Sequence, residues 1–414
     1  NATKYRMDIL MKQVEIIGKF YDNHSLAIIN REIAIRLSDK EKYPDIELAI
    51  TPMDQHDSQY KIKKDSLRIL KELEAKEVEA DIQIRHTYPP MWRWPALSKT
   101  KVVYIQPWEY TKIPFEWQYK FEQFADYLIT PSQWSMNNFL DSGLSPHKAA
   151  VVANGYDSNI FNSSNRTSQQ YSSVNKFTFV YVGNGQYRKG LDILLNAWQE
   201  STSQKDNVKL IIKDSPQVYG QTDLLSRVIQ MEYKTQCAEI EYIDRILSQE
   251  EMSKLYSEHD ILIHPYRGEG FGMHVQEAMA CGCIPMVTAG GPTDEFVSDS
   301  NAIRISSALM FKDLTSPEVF AIKPGDSLTI MGGHGIILEP DIQDLKTKLT
   351  QLIQHPQREE IVNKLRNAEK NLYPWEVIAT SYHALINKID IESIPVRFKN
   401  ERYPEMSATA DKAA

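Results

Sequence analysis

Ile261-Leu-Ile-His-Pro-Tyr266, then Arg267, then Gly268-Glu-Gly-Phe-Gly-Met-His-Val-Gln-Glu277 running into Ala278-Met-Ala-Cys-Gly282, is the stretch that decides the fold. It reads as a β-type apolar run, a glycine-rich turn and a helix, the order that aims the free amides of a helix N-terminus at a phosphate. Gly270 and Gly272, flanking Phe271, let a ligand approach the main chain closely, and the amides near Met273 and His274 lie at the positive end of the helix. Glu277 falls about one turn further in, where a carboxylate accepts from vicinal hydroxyls such as those of a ribose. Glu269, in the loop, faces the other end of the ligand. The same residues also fit an ordinary turn with two solvated glutamates.

Working outward, the unit recurs. Val182-Gly-Asn-Gly-Gln-Tyr-Arg-Lys-Gly190 lies between a β run and an amphipathic helix carrying Leu191, Leu194, Leu195 and Trp198. Gly183 and Gly185 fit a dinucleotide fingerprint, but Arg188 stands where the third glycine packs helix on strand, and that reading fails. A small-residue loop remains, through Asn184, bringing Arg188 and Lys189 to a helix start as a clamp for a diphosphate. Bases in a first turn oppose the helix dipole, so an anion explains them; two solvated bases are the plain alternative. Gly290-Gly-Pro-Thr-Asp-Glu295 makes a third turn at the same sheet edge, where ligands of parallel sheets bind.

The β runs Phe177–Gly183, Val208–Asp214, Ile240–Asp244, Ile261–Tyr266 and Ile284–Thr288 alternate with helical segments, one opened by the capping box Ser248-Gln-Glu-Glu251. The first half shows the same alternation, with β runs at Val14–Phe20, Ile46–Thr51, Ile82–Arg85, Val102–Ile105 and Tyr127–Thr130, and helices such as Ser25–Leu37 and Ser132–Ser142 that Ser25 and Ser132 look placed to cap. His86, Gln106 and Glu109 follow β runs, and so are expected at the edge facing an interdomain cleft. Trp92, Trp94, Trp108 and Trp117 cluster nearby with Tyr88, Tyr104 and Tyr110, suiting either sugar faces or a core. Ile303–Ile337 reads as an insertion of loops and short strands.

From Asn162 to Ser173, ten of twelve residues are Ser, Thr, Asn or Gln, which marks a linker. At 414 residues, with 42% apolar and 25% charged, the chain has the makeup of a globular protein of two domains. A net charge of -8 argues against nucleic acid as a partner. No apolar run spans a membrane, and three cysteines without a bridging framework suit the cytoplasm. Cys281-Gly-Cys283 lacks a second ligand pair, so no protein-held metal is expected.

These residues resemble retaining glycosyltransferase family 4. The resemblance rests on Asn154-Gly-Tyr-Asp157 with Phe161, Lys189-Gly190, Asp260 ahead of the Glu269/Glu277 pair, Gly290-Gly291, Glu339-Pro-Asp341 and Trp375. It implies an α/β fold of the GT-B type, with two Rossmann-like doubly wound domains facing across a cleft. An acceptor-side domain would span 1–161, a linker 162–174, a nucleotide-sugar domain 175–375, a helix at about 376–400 rejoining the first domain, and a tail 401–414.

The resemblance further implies a cofactor-free transfer of a sugar, with retention, from a nucleotide sugar to a hydroxyl of a glycan, protein or lipid, with peripheral membrane contact compatible. Glu277 would hold the ribose, the amides after Glu269 the sugar and phosphate, and Lys189 the diphosphate; with Arg188, Glu269, His86 and Glu109 these form the expected catalytic set. Two other functions share the architecture: a binding module without turnover, and a phosphorylase. The chain departs from the family at Asn184, where an arginine is usual, at Gln106, where a histidine is usual, and in the turn after the first strand, where glycines are reduced to Gly18.

Overall fold

The computed structural model describes residues 11–165, 177–216, 236–313, 334–354, 363–364, 371–393 and 395. The expected linker is described only through residue 165, and the tail 401–414 lies outside the described residues.

The first half forms a parallel sheet of six strands: β1 (Lys12–Gly18), β2 (Ile46–Pro52), β3 (Ile82–His86), β4 (Lys101–Ile105), β5 (Tyr127–Thr130) and β6 (Ala149–Val151), in the order β2-β1-β3-β4-β5-β6. Helices α1 (Ser25–Leu37), α2 (Lys64–Glu74), α3 (Phe115–Phe124) and α4 (Gln133–Asp141) connect them. In α1, Ile29, Ile33 and Leu37 recur at helical spacing and enter the core beside Val14, Ile16 and Ile84. Its N-cap is His24, whose Nδ1 accepts from the Leu26 amide at 3.3 Å; Ser25, the expected cap, is the first helical residue. Ser132 caps α4 as expected, accepting from the Ser135 amide at 3.1 Å.

The second half repeats the plan with β7 (Phe177–Val182), β8 (Val208–Lys213), β9 (Glu239–Ile243), β10 (Ile261–His264), β11 (Ile284–Thr288) and β12 (Ile303–Ile305), in the order β12-β11-β10-β7-β8-β9. Its described helices are α5 (Leu191–Ser201), α6 (Gln249–Glu258), α7 (Met273–Ala280) and α8 (Ile342–Gln354). The Ser248/Glu251 capping box opens α6 as the sequence indicates. Within the expected insertion, β13 (Ser307–Asp313) and β14 (His334–Pro340) pair antiparallel; residues 314–333 lie outside the described set.

Both sheets start in the middle, wind outward, then return across the first strand. The reversal falls between β1 and β3 in one sheet and between β7 and β10 in the other, and the crevice at such a switch point is where doubly wound sheets bind ligands. The two glycine-rich turns follow β7 and β10. Topology alone therefore places them side by side.

The last described helix, α9 (Trp375–Lys388), packs on the first domain and ends at Lys388, short of the expected span to about 400. Trp375, Ile378, Tyr382 and Ile386 are buried in the core that holds α1. Burying such a side chain stabilises by about 1.5–3 kcal/mol. Lys12 on β1 ties the helix end, with Nζ 2.7 Å from the Ile386 carbonyl. Among the described residues no helix is long and apolar enough to cross a membrane.

Candidate functional site

One cavity of about 750 Å³ lies between the domains at both switch points. Its walls come from the start of α1 and the Gln106–Tyr110 loop on one side, and from the turns after β7 and β10 with α7 on the other.

The turn after β7 is a short 3-10 helix, Tyr187–Lys189, stopped by Gly190 at φ 69°. A Cβ at Gly190 would collide with the Pro265 carbonyl, so this turn can seat against β10 only with glycine. The tight turn directs both bases at Glu269: Lys189 Nζ bonds one carboxylate oxygen, and Arg188 lies 3.7 Å from the other. This meets the condition the sequence sets, since adjacent residues at the start of a regular α-helix diverge by about 100°. Arg188 also donates to the Gly268 carbonyl at 3.2 Å and lies 3.6 Å from Glu109 of the first domain.

Glu269 is buried and held by three groups. Burial alone would raise its carboxyl; Lys189, His264 and Arg188 instead keep it well below the usual carboxylate range. His264 Nε2 sits 2.9 Å from the carboxylate, and the buried imidazole is pushed down by desolvation. His274, in the first turn of α7, packs edge-on against His264 with ring centroids 4.2 Å apart. His264, Glu269 and His274 place their potential ligand atoms within 4.8 Å of one another, a set whose chemistry suits a cation. The Glu269 oxygen that would bind it is already shared by Lys189 and His264, so the set carries its own positive charge at that point.

Glu277 lies one turn into α7 on the cavity wall. Burial, with the Glu32 carboxylate of α1 nearby, pushes its carboxyl up to about 8, against the opposing influence of the Tyr256 hydroxyl. Glu32 is itself raised by burial, and it ion-pairs with Arg36, which lies 3.0 Å from Glu376 at the start of α9. Lys61 and Lys63 complete the mouth, 3.2 Å from Glu251 and 3.4 Å from Glu250 of the second domain. The neighbouring Gln276 is fully buried; its Nε2 donates to the Asn154 carbonyl at 3.2 Å, and its Oε1 accepts from the Tyr373 amide at 2.8 Å.

Arg188, Lys189, Glu109, Glu269, Gly183, Asn184, Gly270, Phe271, Gly272, Met273 and Glu277 all line this cavity; Gly185 and His86 do not. His86 is 1% exposed behind α1, its Nδ1 2.8 Å from Asn30 Oδ1, and desolvation pushes it down to about 3. His24, in the turn before α1, is the first-domain histidine on the cavity, and burial lowers it to about 4. Gln106 does line it, 1% exposed, with Oε1 unpartnered among the described residues.

Beyond the expected ligand approach, the glycines also make room for the other domain. A Cβ at Gly270 would fall 2.9 Å from Pro107 Cβ, and one at Gly268 would fall 2.7 Å from the Glu109 carbonyl. The first-domain loop packs into the space that Gly268 and Gly270 leave. Gly272 is needed for its backbone, at φ 96°.

The third turn also departs from expectation, since its residues are absent from the cavity wall. It follows β11, one strand beyond the switch point, and Glu295 there accepts from the Trp134 amide of α4 at 3.1 Å, a clasp between domains. Asp260 is structural: its carboxylate accepts from the Thr178 amide and hydroxyl, each at 2.9 Å. Of the aromatic cluster, Tyr88, Trp108 and Tyr110 reach the cavity, while Tyr104 and Trp117 are core.

Two doubly wound domains enclosing a cleft at their switch points define the GT-B class of architecture. Residues 164–313 match the family model of the glycosyl transferases group 1. A curated relative, an uncharacterized glycosyltransferase of Methanocaldococcus jannaschii, is 29% identical over 175 residues, 42% of this chain and 43% of its own length. The chain thus spans under half of that relative. Among solved structures, Anabaena HepE in complex with UDP and glucose aligns with TM-score 0.59 and 15% identity, covering 91% of this chain and all of that one. A glycosyltransferase from Rickettsia africae aligns with TM-score 0.57 at 12% identity over 92% of this chain and 100% of its own. WaaG, a glycosyltransferase involved in lipopolysaccharide biosynthesis, aligns with TM-score 0.53 at 14% identity over 91% of this chain and 100% of its own.

Proposed function

We propose that the protein is a retaining glycosyltransferase of family 4 that moves a sugar from a nucleotide diphosphate donor to a hydroxyl acceptor without a cofactor or metal. The observation that carries this reading is the convergence of Arg188, Lys189, Glu269 and the N-terminus of α7 on one cavity wall, with Glu277 one helical turn deeper. Two cations and a helix N-terminus supply what a departing diphosphate needs. The structures of HepE with UDP and with UDP-glucose support a uridine nucleotide as the first donor to test.

In the reaction the bond between the anomeric carbon and the diphosphate oxygen breaks, and the sugar gains oxocarbenium character. Lys189 and Arg188 offset the charge growing on that oxygen. With the diphosphate bound they turn from Glu269 to the phosphates, and the freed carboxylate accepts from sugar hydroxyls. The acceptor oxygen bonds to the anomeric carbon on the face the diphosphate leaves, and the leaving oxygen takes the acceptor's proton, so no second carboxylate is needed as a base. Glu109 and Gln106 present the acceptor side, and the loop around them closes the cavity against water. The acceptor is a hydroxyl-bearing glycan, protein or lipid.

The test is release of UDP from UDP-sugars, followed with and without a panel of glycan and lipid acceptors. Acceptor-dependent release with retention at the anomeric carbon supports the reading. Nucleotide binding without release under any acceptor would leave a binding module, and formation of a sugar phosphate from a glycan and inorganic phosphate would show a phosphorylase.

A further inference from the structure

One strand over from the turn that carries Arg188 and Lys189, the cavity holds a buried lysine that this reaction does not use. Lys213, the last residue of β8, is 2% exposed and lines the cavity with Ser215, Ile246 and Leu247. β8 lies on the far side of β7 from β10, so the turn after it opens away from Glu269. The charged groups that act on Lys213 are Asp214, Arg245 and Asp244, at the ends of β8 and β9, with none from the Glu269 cluster. In the same cavity, Ile246, Leu247 and Met252 supply apolar surface of the kind a flat ring packs on.

The ammonium is fixed. Nζ donates to the Asp214 carbonyl and, at 2.9 Å, to Ser215 Oγ. Asp214 is anchored in turn, accepting from the Tyr242 hydroxyl at 2.9 Å and from the Ser215 amide at 2.6 Å. An ammonium carries three donors and no acceptor. With two N–H groups satisfied by the chain, the third has no acceptor among the described residues, and Lys213 lines the cavity where an acceptor atom on a ligand can meet it.

We infer that Lys213 reads the nucleobase, selecting a base that presents a ring carbonyl over one that presents an amino group at the same position. The inference rests on the nucleotide-donor reading above and deepens it. Uracil at O4 and guanine at O6 offer the acceptor; cytosine and adenine place an N–H donor there, facing a donor that cannot reverse its role. Desolvation lowers Lys213 to about 8, which leaves the amine predominantly charged at neutral pH. A site built to hydrogen-bond one partner rejects an analogue that leaves a buried polar group unpaired.

The experiment measures dissociation constants of UDP, CDP, GDP, ADP and inorganic pyrophosphate by calorimetry at pH 7, for the natural protein and for Lys213→Met. The expected result is a preference of tenfold or more for the oxo base over its amino counterpart, UDP over CDP or GDP over ADP. In Lys213→Met the preferred nucleotide weakens at least tenfold, its counterpart and pyrophosphate change less than threefold, and the preference collapses. Equal binding of oxo and amino bases by the natural protein overturns the inference even if the variant does not fold. A preference that survives in Lys213→Met, or a uniform loss that includes pyrophosphate, overturns it as well, the latter showing a phosphate contact. Failure of every nucleotide to bind would overturn the donor reading itself and this inference with it.

Discussion

Replacing Glu277 by glutamine separates what this side chain costs the fold from what it contributes to the ligand. Its carboxyl is raised from 4.5 to about 8 in the folded chain, chiefly by burial and then by Glu32. A raised acid is held in its protonated form, so folding is favoured below about pH 4.5 and that advantage is lost as pH rises through about 8. At ~1.36 kcal/mol per pK unit the full shift corresponds to ~5 kcal/mol, and partial access to solvent reduces this to ~2–3 kcal/mol. Glutamine has the same shape and cannot ionise. Glu277→Gln should therefore match the natural protein at pH 5 and exceed it by ~2–3 kcal/mol at pH 9 in urea unfolding.

For UDP the same substitution works in the opposite direction. Ribose hydroxyls favour the ionised carboxylate, so binding to the natural protein should strengthen as pH rises toward 8, and the variant should lose that dependence along with ~1.5–3 kcal/mol of affinity at pH 9. A stability difference that is the same at pH 5 and pH 9, or unaltered UDP affinity in a folded variant, would refute the reasoning.

Three further outcomes can be measured. Lys189→Ala should abolish most transfer, and Arg188→Ala should reduce it by one to two orders of magnitude, ~1.4–2.8 kcal/mol of transition-state stabilisation; steady-state kinetics that leave kcat/KM intact in Arg188→Ala would show that the second cation comes from elsewhere. Glu109→Gln should lower kcat while UDP affinity by calorimetry changes less than threefold, whereas a parallel loss of both would place Glu109 in the donor site. Gly270→Ala puts a methyl against Pro107, so turnover should fall at least tenfold with UDP binding retained, and undiminished turnover would show that this contact is dispensable.

Much of the architecture was legible because its signals are local. The β runs Tyr127–Thr130 and Ile284–Thr288 fall on strands with the same limits, and Ser25–Leu37 on a helix. Glycine-rich turns after apolar runs locate the sheet edge without any knowledge of neighbours. What failed depends on contacts distant in sequence. β3 is buried along its whole length, so no alternation tells which end residue faces the cleft, and His86 points to Asn30 while His24 takes the wall. Lys213 closes an apolar run, where a lysine reads as solvated; only the strand order shows that it ends inside a cavity. Gly270 reads from sequence as room for a ligand, while the neighbour that a Cβ there or at Gly268 would meet belongs to the other domain.

The paired crossings near Asn154 and Tyr373 give Gln276 a mechanical meaning. Tyr156 and Trp375 link the two passing segments, with the Tyr156 amide 3.1 Å from the Tyr373 carbonyl and the Trp375 amide 3.1 Å from the Tyr156 carbonyl. A single carboxamide on α7 grips both segments at once. The helix α7 is thereby fastened to both segments by which the chain passes between the two domains. Other contacts join the domains elsewhere, Ser132 to the Gly270 carbonyl and Glu109 to Arg188. A displacement of one domain against the other would therefore have to carry α7 along with both crossing segments or break the Gln276 carboxamide bonds.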